Sequence, residues 1–329
     1  MDRMTFLQKR NINLDLAVEA HALLQGEADI EVEGVIMDQE EFADGTITSI
    51  TIKNAAGEKA MGRPKGNYIT FELPELRDAD LIRDYQETTS ALAHKLHDVV
   101  HPEKNKVFLV VGLGNWHATP DALGPKVVDR TLVTRHLFHY IPEELTGKMR
   151  NVAAIAPGVL GLTGLETAEV LKGLIEHVQP DCLIAVDALA AGSLEHIGTT
   201  IQIADTGINP GAGIGNKRQA LNEKNLGCKV VAIGVPTVVN ASLIAHQTLE
   251  EILNQFEAEP TLSSVYSPEN EEILMGIVDK ALHPFRESLM VTPKEIDDLI
   301  EKSSLIIAGA LNMCLHPDIN KDNYQSTLN

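Results

Sequence analysis

Short apolar runs recur from residue 106 onward: VFLVV at 107–111, NVAAIA at 151–156, CLIAV at 182–186, TTIQI at 199–203 and KVVAIG at 229–234. Stretches of helical spacing lie among and after them. A strand apolar at consecutive positions cannot turn one face to water, so it must be covered on both sides. The rhythm therefore predicts an α/β fold, a mostly parallel sheet flanked by helices. Strands are expected at 107–112, 151–156, 182–186, 199–203 and 229–234, with helices at 121–137, 164–178, 237–257, 268–282 and 293–313.

The first part of the chain follows a different rule. Residues 14–24 have helical spacing, but 31–36, 47–52 and 68–72 alternate apolar and polar residues as half-buried strands do, with Asp44-Gly45 as a turn between the first two. Residues 57–66 read as a loop and 78–101 as a long amphipathic helix. This gives a small N-terminal β-rich segment, residues 16–75, ahead of an α/β core, residues 76–329, within one structural domain. The stretch 257–270, with Pro260 and Pro268, reads as an exposed connector or a surface loop.

Charge and composition narrow the partners. With 329 residues, 44% of them hydrophobic, the chain can bury a sizeable core. Its 47 acids against 27 Lys and Arg give a net charge of −20, which repels nucleic acid. Cys182, Cys228 and Cys314 are too scattered for a disulfide framework or a zinc site. No window approaches the roughly 18 apolar residues of a membrane helix, and no signal-peptide pattern follows Met1. A cytoplasmic location is expected, with no membrane partner.

Two acids stand at the carboxyl ends of strands, where open α/β sheets place ligands. Asp121 lies in GLGNWHATPDALGP, residues 112–125, and Asp187 follows the run 182–186. Each also has a plain structural reading, Asp121 as an early helix residue favoured by the macrodipole and Asp187 as an N-cap. Together, two carboxyls sharing one proton can take a proton from water and give one to a leaving group. The glycine turn is no dinucleotide fingerprint, because His117 breaks G-x-G-x-x-G. A second glycine-rich loop, 207–218, lacks the P-loop ending, and with Lys217 and Arg218 it reads either as an anion or peptide cradle or as a structural turn. Asn115, Trp116, His117 and Asp205 are further site-lining candidates. No serine elbow or cysteine-protease motif is present, and His117 with His136 fall short of a metal motif, so no cofactor or metal is expected.

The blocks VGLGNWHATPDALGP, LVTRHLF, APGVLGLTGLET, DALAA, TTIQIADTGINPGAGIGNKR, VVAIGVPTVVNA and VTPKEIDDLIEKSSLIIAGALNMCLH resemble the germination protease, or spore protease, family. The resemblance implies an atypical aspartic-type endopeptidase, made as a zymogen, that degrades small acid-soluble spore proteins in the spore core at germination. It puts the catalytic pair on Asp121 and Asp187, a fold similar to hydrogenase maturation proteases, and a homotetrameric assembly. It also implies a propeptide, residues 1–15, removed by self-cleavage between Asp15 and Leu16 in the segment NLDLAVEA. One departure stands out: Gly192 occupies the place where the family commonly has arginine after DALAA. A metal-dependent maturation-type protease and an inactive homologue that binds spore proteins are the alternatives.

Overall fold

The computed structural model describes residues 7, 12–26, 32–77, 85–140, 148–214, 218–258, 268–282 and 289–328. After helix α1 (Ala17–Gln25) come strands β1 (Val35–Phe42) and β2 (Gly45–Ile52), helix α2 (Ala55–Met61), strand β3 (Gly66–Glu72) and helix α3 (Gln86–Val100). The core continues with β4 (Val107–Gly112), α4 (Leu123–Arg130), β5 (Asn151–Ile155), α5 (Thr167–Val178), β6 (Cys182–Ala191), β7 (Thr200–Ala204) and β8 (Lys229–Asn240). It closes with α6 (Ala241–Ala258), α7 (Pro268–Leu282), the two-residue strand β9 (Met290–Val291) and α8 (Ile296–Leu315).

All strands join one sheet in the order β1-β2-β3-β7-β8-β6-β4-β5, with β9 beside the end of β8. The expected parallel set is its β8-β6-β4-β5 half. The other half is antiparallel: β7 runs against β8, and β3 zips onto β7 from Tyr68↔Ala204 to Glu72↔Thr200. The N-terminal meander thus extends the core sheet. Between β7 and β8 the described residues hold only a 3-10 turn, Ala212–Ile214, and a one-turn helix, Glu223–Leu226, both too short to cross over the sheet as a parallel connection requires.

One face of the sheet carries α3, α4 and α8. Leu92, Leu96, Leu123, Val127, Ile307 and Leu311 pack there on Phe71, Phe108, Ile184, Val186, Ile203 and Ile233. At about 1.5–3 kcal/mol for each large side chain taken from water, this layer is the main stabilising cluster. On the opposite face, α5 seats Leu171 on Leu109, Val111, Leu183 and Val230, while Ala17 of α1 packs on Ile50, Ile52, Tyr68 and Ala232.

Several boundaries differ from the sequence expectation. β6 continues through DALAA to Ala191, and β8 continues to Asn240, displacing the start of the next helix from 237 to 241. Their pairing persists past a register shift between Leu189 and Ala190. The helix expected at 121–137 ends at Arg130, since Thr134 and Arg135 turn their N–H groups to the Val152 carbonyl. The loop expected at 57–66 holds most of α2, capped by the Asn54 side chain at its start and by Gly62 in the left-handed region at its end. The first strand, expected at 31–36, forms at Val35–Phe42, because the turn at Asp44-Gly45 sets its register on β2. Residues 78–84 of the expected 78–101 helix, and most of the 257–270 connector, lie outside the described residues.

Candidate active site

Strand β4 hands the chain to a tight return loop. The Leu113 N–H still donates to the Val186 carbonyl at 2.8 Å, holding the loop's first residue in the sheet. Gly114 then turns with φ +111°, and a Cβ there would lie 2.1 Å from the Asp121 carbonyl oxygen. Only glycine permits that return. The Asn115 N–H closes it by donating to the Asp121 carbonyl at 3.0 Å. Thr119, Pro120 and Asp121 make a single 3-10 turn, tethered to β8 by the Thr237 hydroxyl donating to the Pro120 carbonyl at 2.6 Å. Asp121 therefore precedes α4, which starts at Leu123.

Asp187 reaches the same place from β6. It sits inside the strand, which removes the N-cap reading, and its side chain is only 5% exposed. Its Oδ1 accepts the Ala188 N–H at 3.0 Å. Asp121, Asp187, Asp15 and Arg218 line one cavity of about 260 Å³, walled also by Thr167 and Thr237. The loop after β4 and the mid-strand of β6 converge there because β4 and β6 are adjacent and parallel.

The acids do not titrate alike. Burial pushes the Asp187 carboxyl well above the usual range, and the neighbouring charges of Asp121 and Asp15 push it further. Burial also raises Asp121, opposed by the Asn115 N–H and by Arg218. Asp15 rises to about 6, chiefly through burial, against the lowering effects of the Ala190 N–H, Arg63 and the Gly213 N–H. Three carboxyls in one cavity cannot all ionise near neutrality, and Asp187 is the one most strongly held protonated.

The amino-terminal segment fills the approach to this cavity. The Asp15 carboxylate accepts the Ala190 N–H at 2.9 Å, and Leu16 is fully buried. Arg63 donates to the Leu14 carbonyl at 2.6 Å. Further along, the Glu19 carboxylate accepts the Gly192 N–H at 2.8 Å, the Ser193 N–H at 3.1 Å and the His196 Nδ1–H at 2.7 Å. The Leu14 and Glu19 side chains lie directly over Gly192, where a Cβ would stand 2.5 Å from Leu14 Cδ2 and 2.7 Å from Glu19 Oε2. The departure from the family arginine thus falls where the segment docks.

The remaining candidates separate. Asn115 shapes the loop, its Oδ1 accepting the His117 N–H at 3.0 Å. Trp116, 52% exposed, and His117 stand outward on the same loop, and His136 is exposed elsewhere. Among the described residues no group of His, Cys, Asp and Glu is placed to hold a metal ion. Asp205 is engaged away from the cavity, accepting the Asn67 N–H at 2.8 Å and Nδ2–H at 2.7 Å, so it ties the end of β7 to β3. Lys217 lies outside the described residues, whereas Arg218 is at the cavity. Sequence reading missed Glu19, His196 and Gln202. The one available signal was Gln202, an amide between two isoleucines in the run TIQIA.

The chain resembles known proteins over nearly its whole length. A germination protease from Caldanaerobacter subterraneus subsp. tengcongensis is 44% identical over 315 residues, spanning 94% of this chain and 96% of that protein. One from Clostridium perfringens is 44% identical over 324 residues, spanning 94% and 98%. Among solved structures, a [NiFe] hydrogenase maturation protease from Thermococcus kodakarensis is 22% identical and covers 44% of this chain and 80% of its own, with a TM-score of 0.27, too low to bear on the mechanism. The family model for germination proteases matches residues 13–270 and 261–327. With relatives this similar over this much of its length, the chain belongs to the germination protease family and is a peptidase of that family.

Proposed function

We propose that the chain is an aspartic-type endopeptidase of the spore core, whose amino-terminal segment occupies its own active site until it is cut between Asp15 and Leu16. Small acid-soluble spore proteins are then its substrates at germination, and a homotetramer its working form. The observation that carries this reading is the sharing of one cavity by Asp15, Asp121 and Asp187.

The chemistry follows from the unequal acids. Asp121, beside Arg218, is the ionised base: it takes a proton from water as the water oxygen attacks the carbonyl carbon of the residue before the cut. Asp187, buried and pressed by two acidic neighbours, holds a proton and passes it to the departing amide nitrogen. The carbon–nitrogen bond breaks, and the new carboxyl and amine groups account for the added water.

Intact-mass measurement of the purified chain, with and without a small acid-soluble spore protein, tests the reading. Loss of residues 1–15 and specific substrate fragments are expected from wild type. Asp121→Asn and Asp187→Asn should reduce both by at least about 100-fold while remaining folded. A folded wild type that cuts neither itself nor substrate refutes the proposal, and activity lost on chelation and restored by one divalent metal would favour the metal-dependent alternative.

A further inference from the structure

Across β7, β8 and β6, Gln202, Gly234 and Asp187 stand in one register row: Gln202 is paired with Gly234 and Gly234 with Asp187. Paired residues project to the same face of a sheet. Gln202 and Asp187 therefore rise on one face, two strand spacings or about 10 Å apart. Gly234 between them contributes no side chain, and the Leu189 side chain packs over it, 2.4 Å from where a Cβ would stand.

Beside this row Gln202 grips residues 15–17 of the amino-terminal segment by both polar atoms. Its Oε1 accepts the Ala17 N–H at 2.7 Å, and its Nε2–H donates to the Asp15 carbonyl oxygen at 3.1 Å. The two contacts fix the orientation of the amide, since an N–H needs an acceptor and a carbonyl needs a donor. They also bracket the Asp15–Leu16 peptide bond. Gln202 is buried, 7% exposed, in a strand buried at every position, so the amide is held in a water-poor setting with both partners supplied by the segment. A donor so placed gains strength as negative charge grows on the carbonyl oxygen.

We infer that Gln202 is a catalytic residue of this peptidase: its amide fixes the backbone on both sides of the bond to be cut and its Nε2–H stabilises the oxyanion formed on the residue before the cut. The inference rests on the proposed cut between Asp15 and Leu16. It adds a function to a side chain that is neither the base nor the acid. When water adds to the Asp15 carbonyl carbon, the π electrons move onto the oxygen that Gln202 already contacts. They return as the bond to the Leu16 nitrogen breaks, so Gln202 gains and loses no proton.

The test uses the full chain as wild type, Gln202→Ala and Gln202→Glu, with Asp187→Asn as the uncut reference. Self-cleavage at 15–16 is timed by intact mass, and exchange of the Ala17 amide is followed in the Asp187→Asn background. Gln202→Ala removes both contacts and should slow cleavage by about 100-fold or more while exposing the Ala17 amide. Gln202→Glu, ionised, can accept the Ala17 N–H but cannot donate, so cleavage should slow comparably while Ala17 stays protected. A merely structural role would not split the two readouts. If wild type is cut and both variants cut at its rate, the role of Gln202 is overturned and the peptidase reading stands. Cleavage that tracks Ala17 protection in both variants also overturns the oxyanion role. If folded wild type is never cut at this bond, the peptidase reading and the role of Gln202 fall together. Thermal melts of both variants identify any loss of rate that comes from unfolding.

Discussion

At the scale of single residues, the site is organised by how burial divides similar carboxyls into different states. Asp15 has its pKa raised to about 6, so docking of the segment is favoured while the group is protonated and weakens as pH rises through about 6. In uncut Asp187→Asn protein, protection of the segment from a probe protease should fall between about pH 4 and 7. Asp15→Asn should flatten that profile, and a profile of opposite slope would contradict it. Glu19 acts the other way round, as an anchor: it receives two backbone N–H groups and His196, which burial would lower but which Glu19 and Glu72 hold up at about 9. His196 therefore stabilises the docked segment fully below about 6.5 and progressively less as pH climbs through about 9. Glu19→Ala leaves these donors facing buried ground and should cost about 3 kcal/mol of stability, read by denaturant unfolding, with Glu19→Gln costing less.

At the scale of elements, sequence reading worked where periodicity is strong and failed where a strand outlasts its apolar run. The strand at 182–186 was legible from CLIAV, but DALAA, with an acid and three alanines, carries good helix formers and reads as a helix start. It stays extended because β8 remains alongside it as far as Val239. Such ladder pairing is a tertiary contribution, and it is what puts Asp187 mid-strand. The helix layer is the most predictable part, since its apolar faces must be covered. Leu311→Ala in α8, at a fully buried position on that layer, should lower stability by about 2–5 kcal/mol in chemical denaturation with the cut at 15–16 unchanged in position. A loss below about 1 kcal/mol would mean that the layer packs more loosely than its burial implies.

At the scale of the whole molecule, the proposed homotetramer predicts a light-scattering mass four times that of the chain, and a monomer at working concentration would refute it. The alternation of apolar runs with helical stretches determined the parallel half of the sheet and its helices. The ordered motif blocks pointed to Asp121, Asp187 and the bond after Asp15. Tertiary structure alone decided that β7 turns antiparallel and welds the N-terminal meander to the core, that Asp15 shares the cavity of the two acids, and that Gln202 grips a backbone 185 residues away. The physical reason is one of range. Local spacing dictates which face of a strand or helix is apolar, whereas strand order and register are settled by burial across the whole chain, and the site is assembled from neighbours that only this order creates.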